Sequence, residues 1–154
     1  MPYGTRDSYI ATGWTEDVFK LGIVEMKDDL SISANKIGTY SSTNDLDFTD
    51  ISDLRAYIAS GFSPSIGELL LTLVYKVPAG EGVLLKGEAG EYEVPYGETD
   101  MVYSNLLKGV TTATTIAPTD GDYTNFILAD GTHGIGFYTL SQAGEIAAGK
   151  AYLQ

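Results

Sequence analysis

Apolar positions along the chain come in short runs separated by turn residues. Leu30 and Ile32 alternate with serines, and Tyr92-Glu93-Val94 repeats the alternation. A period of two marks a strand with one buried face. Residues 18–26 are apolar and β-branched, and Gly22 in their middle argues against a helix. Leu54-Arg55-Ala56-Tyr57-Ile58-Ala59 is followed closely by Gly61 and Pro64, which favours a strand over a helix capped by Ser52 or Asp53. Residues 69–77 are the strongest strand signal, apolar on both faces, which predicts a central position. Pro78-Ala79-Gly80-Glu81-Gly82 reads as a turn and Val83-Leu84-Leu85 as the returning strand. Further strands are expected over residues 110–116, 123–128, 135–140 and 150–153, with a hairpin-type turn at Thr119-Asp120-Gly121-Asp122. Roughly ten short strands with turn signals every 8–12 residues predict an all-β fold, a two-sheet β-sandwich of jelly-roll type with one core.

The chain also resembles itself. Shifted by 69 positions, residues 57–85 lie over residues 126–154 without a gap. Identities fall at Ile58/Ile127, Gly67/Gly136, Leu71/Leu140, Ala79/Ala148, Gly80/Gly149 and Leu84/Leu153. Two explanations stand side by side: two β-units sharing one core, or two hairpins that converged on the same turn chemistry.

Composition narrows the chemistry. Across 154 residues there is no cysteine, which excludes disulfides, thiolate metal sites and cysteine nucleophiles. His133 is the single histidine, so one chain cannot build a multi-histidine site. The net charge of −12 repels phosphate backbones and anionic lipid, and excludes nucleic acid as a partner. No apolar run approaches the ~20 residues of a membrane span, so no membrane insertion is expected. The N-terminus lacks a basic patch followed by an apolar stretch, so no signal peptide is read there. Residues 1–36 are the least regular part. They are read as an N-terminal arm or extra strands, in front of a domain over residues 37–154.

From Ile37 onward a set of words recurs in a fixed order. They are Thr39-Tyr40-Ser41-Ser42, Leu46-Asp47-Phe48 and Ala56-Tyr57-Ile58-Ala59, then Val77-Pro78-Ala79-Gly80-Glu81-Gly82-Val83-Leu84-Leu85-Lys86-Gly87. Tyr92-Glu93-Val94-Pro95, Asn105-Leu106-Leu107-Lys108-Gly109, Gly136-Phe137-Tyr138 and Ala148-Gly149-Lys150-Ala151-Tyr152-Leu153 follow. In these words residues 37–154 resemble a C-terminal β-domain of secreted and surface proteins of gut Bacteroidales, appended to leucine-rich-repeat, adhesin-like or carbohydrate-active modules. The resemblance implies an extracellular or cell-surface setting and no enzymatic role. A phage virion, as a capsid decoration or fibre protein, is the alternative setting, since virion proteins carry no signal peptide.

Candidate sites follow from residue type. His133, in Asp130-Gly131-Thr132-His133-Gly134, is the one imidazole base, and no Gly-x-Ser-x-Gly elbow accompanies it. Glu81, Glu88, Glu91 and Glu93 cluster in sequence, but exposed carboxylates of this kind are ordinarily solvated. Gly80-Glu81-Gly82 and Gly134-Ile135-Gly136 lack the lysine of a phosphate loop and read as turns. Asp45, Asp47 and Asp50 form an acidic loop that is the candidate calcium site, the one cofactor considered. Trp14, Tyr96 and Tyr103 are the candidate platform for a glycan. Tyr57, Tyr75 and Phe137 are assigned to the core. Tyr9, Trp14, Phe19 and Ile23 are the candidate contact to other protein subunits, in a homo-oligomer or larger assembly. The expected function is a non-catalytic structural or interaction module on a surface assembly, the alternative a carbohydrate-binding module.

Overall fold

The computed structural model describes residues 26–154. Tyr9, Trp14, Phe19 and Ile23 lie outside the described residues, as does most of the strand expected over 18–26. Sixteen strands and no helix form the described part. In chain order they are β1 (Lys27–Ile32), β2 (Ile37–Tyr40), β3 (Leu46–Asp47), β4 (Leu54–Ser63), β5 (Glu68–Val74), β6 (Lys76–Val77), β7 (Val83–Gly87) and β8 (Gly90–Pro95). Then come β9 (Leu107–Val110), β10 (Thr114–Ile116), β11 (Thr119–Asp120), β12 (Tyr123–Thr124), β13 (Phe126–Gly131), β14 (Gly134–Thr139), β15 (Gly144–Ile146) and β16 (Lys150–Leu153). The expected turn at Gly121 joins β11 to β12, and that glycine takes the left-handed conformation the turn requires.

All pairings are antiparallel. β1 pairs with β8, a bridge from Tyr96 to Leu46 continues to β3, and β3 pairs with β6. Facing this layer is the sheet β2-β7-β4-β5. Leu30, Ile32, Leu46, Phe48, Leu54, Ile58, Val74, Val77, Val83, Leu85 and Val94 fill the space between. Alternation along the strands then serves a second core. Leu54, Ala56 and Ile58 of β4 point into the first cluster, whereas Tyr57 and Ala59 pack into another with Leu84, Leu107, Phe126, Phe137 and Leu153. That second cluster joins the middle sheet to a third, β14-β13-β16-β9. Two cores flank the middle sheet, where one was expected. Tyr57 and Phe137 are partly buried against the second, in keeping with their assignment.

The order of strands overturns one expectation. The most apolar run is not central: β5 lies at the end of its sheet, and only its last residue, Val74, is buried. The doubly buried position belongs to β7, which runs between β2 and β4 with Val83, Leu84 and Leu85 all inside. β7 therefore does not return alongside β5 but crosses to the far side of β4. Continuous apolarity marks a strand with two faces to cover, and a free edge strand carries that pattern as well as a central one. Lys27–Ile32, within the expected arm, behaves as an extra strand, since it supplies Leu30 and Ile32 to the core.

The 69-residue offset reappears as a repeat of strand order. β2-β7-β4-β5 and β9-β16-β13-β14 are the same succession of strands, and β3-β6 matches β10-β15. Tyr57 pairs with Leu84, and Phe126, 69 residues on, pairs with Leu153. Gly80 and Gly149 both take positive φ, 82° and 86°. The hairpins are where the correspondence slips. Ile58 pairs with Thr72, but Ile127 pairs with Tyr138, because the second hairpin turns more tightly and lacks the bulge at Ser60. The identities Gly67/Gly136 and Leu71/Leu140 thus fall at unmatched places.

The halves exchange equivalent contacts. In one direction Gly149 O accepts from Ser41 N at 3.1 Å, and Ala151 N donates to Thr39 Oγ1 at 3.2 Å. Ser41 Oγ sits 3.0 Å from the carbonyls of both Val110 and Lys150. In the other direction the Gly80 turn lies against β9, where Glu81 bridges to Lys108. A Cβ on Gly109 would come 2.3 Å from Gly80 O.

Candidate interaction surface

The β4–β5 hairpin is built by a four-residue turn, 64–67, closed by the pair Ser63 and Glu68. Gly67 supplies the positive φ that the turn needs, at 66°. A bulge shifts the register between Ala59 and Gly61. Thr72 Oγ1 lies 2.8 Å from Ser60 Oγ, which in turn reaches Leu70 O at 3.3 Å, so hydroxyls hold the bulge. Leu70 rests against the bare Cα of Gly61, where an added Cβ would approach its side chain to 3.2 Å.

This hairpin carries most of the apolar surface. Of eleven exposed large hydrophobic residues among those described, six fall between Phe62 and Tyr75. Ile66 is 66% exposed, Leu70 54% and Tyr75 53%, with Leu71 and Leu73 beside them. Tyr75 is therefore not a core residue, contrary to its assignment. No charged residue interrupts 69–75, in a chain of net charge −12. The outer side of β5 pairs with no other strand among the described residues. An uncharged, apolar, unpaired strand edge is a template for another strand. Sequence reasoning found the run but placed it inside, since apolarity alone does not say which side of a sheet a strand occupies.

The other candidates have separate surroundings. Asp45 accepts from Ala79 N at 2.8 Å and Thr99 N at 3.1 Å, and these bonds lower its carboxyl below the usual range. Asp47 accepts from Lys76 Nζ at 2.5 Å and Thr49 N at 2.9 Å. The two carboxylates thus clamp different loops, and Asp50 is exposed nearby. Among the described residues no group of three or more acids or histidine is placed to hold a metal ion. Tyr96 and Tyr103 pack against the first core. Tyr96 OH donates to Asp28 Oδ1 at 3.0 Å and Tyr103 OH to Lys76 O at 2.7 Å. Tyr40 OH donates to the other oxygen of Asp28 at 2.8 Å, and burial, with Asp28 beside it, pushes its phenol up. Trp14 lies outside the described residues. His133 is exposed in the β13–β14 turn, where its backbone N donates to Tyr138 OH at 3.2 Å. Glu81 accepts from Asn105 at 2.7 Å, Glu88 pairs with Lys36 at 2.9 Å, and Glu93 pairs with Lys27. Glu91 is exposed on β8 opposite Ser31.

Asp47 gives a pH test. The Lys76 ammonium, with the Thr49 hydroxyl and amide, holds its carboxyl down to about 2. In the unfolded chain the value is about 3.9. A group depressed on folding contributes stability above its unfolded value and loses it as pH falls through its folded value. The thermal midpoint is therefore expected to fall between about pH 4 and pH 2. Asp47→Asn should flatten that segment in a pH series of melts; an unchanged slope would remove Asp47 as its source.

Comparison of the chain with protein-family models, with curated proteins and with solved structures returned no match. The interaction surface is thus read from its own geometry.

Proposed function

We propose that this protein is a non-catalytic structural module of a protein assembly, and that its β4–β5 hairpin makes the contact. The observation that carries this reading is the uncharged apolar edge of residues 69–75, exposed on an acidic protein. Fully burying one leucine side chain is worth roughly 1.5–3 kcal/mol. Several exposed together on one edge are a feature of surfaces that associate.

The strand order supports the same reading by analogy. Over residues 27–96 the layers run β1-β8-β3-β6 and β2-β7-β4-β5. We read this as a jelly roll, an architecture shared by viral capsid and lectin domains. Fold alone does not assign function. The setting proposed is the one the sequence resemblance implies, a bacterial surface protein of gut Bacteroidales or a phage virion.

Size exclusion with light scattering on the full chain tests this. The mass should exceed one chain and fall on dilution. Phe62→Ser, Ile66→Ser and Leu70→Ser together should weaken association at least tenfold, with far-ultraviolet circular dichroism unchanged because all three are more than half exposed. A one-chain mass at every concentration, indifferent to these changes, would remove the reading.

A further inference from the structure

The partner of β5 follows from its own sequence, on the reading that the hairpin is an assembly contact. The strand and its flanks read Glu68-Leu69-Leu70-Leu71-Thr72-Leu73-Val74-Tyr75-Lys76. An acid stands at one end, a base at the other, and apolar residues lie between. We propose that β5 pairs antiparallel with β5 of a second copy of this chain, about a two-fold axis at Thr72.

In this register Glu68 of each copy meets Lys76 of the other. Leu69 meets Tyr75, Leu70 meets Val74, and Leu71 meets Leu73. Thr72 meets its own counterpart. Opposite charges across an antiparallel pair stabilise it, whereas like charges directly opposite oppose it. Parallel pairing in register would set Glu68 against Glu68. Slipping the antiparallel register would face Glu68 with an apolar residue. Lys76 already bonds Asp47, but an ammonium has three donors and its side chain is 40% exposed, so it serves both carboxylates. Self-pairing about a two-fold axis closes at two copies. It joins two four-stranded sheets into one and covers the free edge. The alternative edge on another copy, β14, holds Gly134-Ile135-Gly136-Phe137-Tyr138-Thr139, with no charge to meet Glu68 or Lys76.

The chain has no cysteine, so introduced ones report geometry directly. Opposed residues of an antiparallel pair have Cα atoms about 4.5–5.5 Å apart, within disulfide range. Under mild oxidation of the full chain, Thr72→Cys should form a covalent dimer in at least tenfold higher yield than Glu68→Cys. Mixing Leu71→Cys with Leu73→Cys should give the mixed dimer in preference to either self-linked one. This second pair keeps the test valid if loss of the Thr72 hydroxyl disturbs the bulge. Assembly in solution without linkage at Thr72 or between 71 and 73 would overturn the pairing while leaving the assembly reading intact. Equal linkage at every position, as from random collision, would also overturn it. So would a one-chain mass with slowly exchanging β5 amides, which would put another segment of the same chain, such as residues 18–24, on the strand. A one-chain mass with freely exchanging β5 amides would remove the pairing and the assembly reading together.

Discussion

Gly109→Ala is expected to destabilise the protein by on the order of 3 kcal/mol, at the upper end of the usual range for forcing extra volume into a packed site. The added Cβ would lie 2.3 Å from Gly80 O and 2.9 Å from Ser41 Cβ. The nearest obstacle is backbone, so no side chain can swing away to relieve it. The site is also the seam where the Gly80 turn meets β9, so relief requires the halves to separate locally. For a chain of this size each kcal/mol lowers the thermal midpoint by roughly 2–4 °C, which makes the expected loss about 6–12 °C. Gly38→Ala is the matched control. It also lies in a strand, but an added Cβ there meets nothing within 4 Å. Parallel melts of the two variants measure the difference. Similar midpoints would mean that the seam yields at little cost.

Phe48→Ala is expected to cost about 3–5 kcal/mol, the range for removing a buried aromatic ring. Phe48 is among the largest fully buried side chains and sits with Leu46, Val77 and Leu54 in the first core. Its backbone N also donates to Tyr75 O at 2.7 Å, at the corner where the chain passes from β5 to β6. Truncation leaves a void beside a hydrogen-bonded corner that resists collapse. Urea unfolding should show a lower midpoint at unchanged slope, the mark of altered stability without altered extent of unfolding. Phe62→Ala, on the exposed hairpin, should stay within about 0.5 kcal/mol of the parent. A loss at Phe62 as large as at Phe48 would place Phe62 in an interface or core of its own.

Much of the architecture was legible in the residues. Leu54-Arg55-Ala56-Tyr57-Ile58-Ala59 does form a strand, because Gly61 and Pro64 leave a helix no room. The alternation at Leu30 and Ile32 does bury both side chains on one face. The repeat was legible where turn chemistry demanded it, at Gly80 and Gly149, and where Leu84 and Leu153 take matching ladder positions. It was misleading in the hairpins, where turns of different length separate residues that align in sequence. What composition could not convey was adjacency. β5 and β7 are both apolar, and only the crossing of β7 to the far side of β4 makes one an edge and the other a centre. The acidic loop is a similar case. The spacing of Asp45 and Asp47 suggested a shared cation, but Ala79 N, Thr99 N and Lys76 Nζ approach them from distant parts of the chain.

The exchange between Thr39-Ser41 and Gly149-Ala151 has a consequence for synthesis. Thr39 must wait for a partner 112 residues further along. Such distant contacts slow folding, because a long loop must close before they form. On a ribosome β1 to β8 complete their two facing layers well before the last strand emerges. During that interval Tyr57, Ala59 and Leu84 present an uncovered face, and the nascent chain is at its most vulnerable to association with its neighbours. The final residues, Ala151 and Leu153, close it.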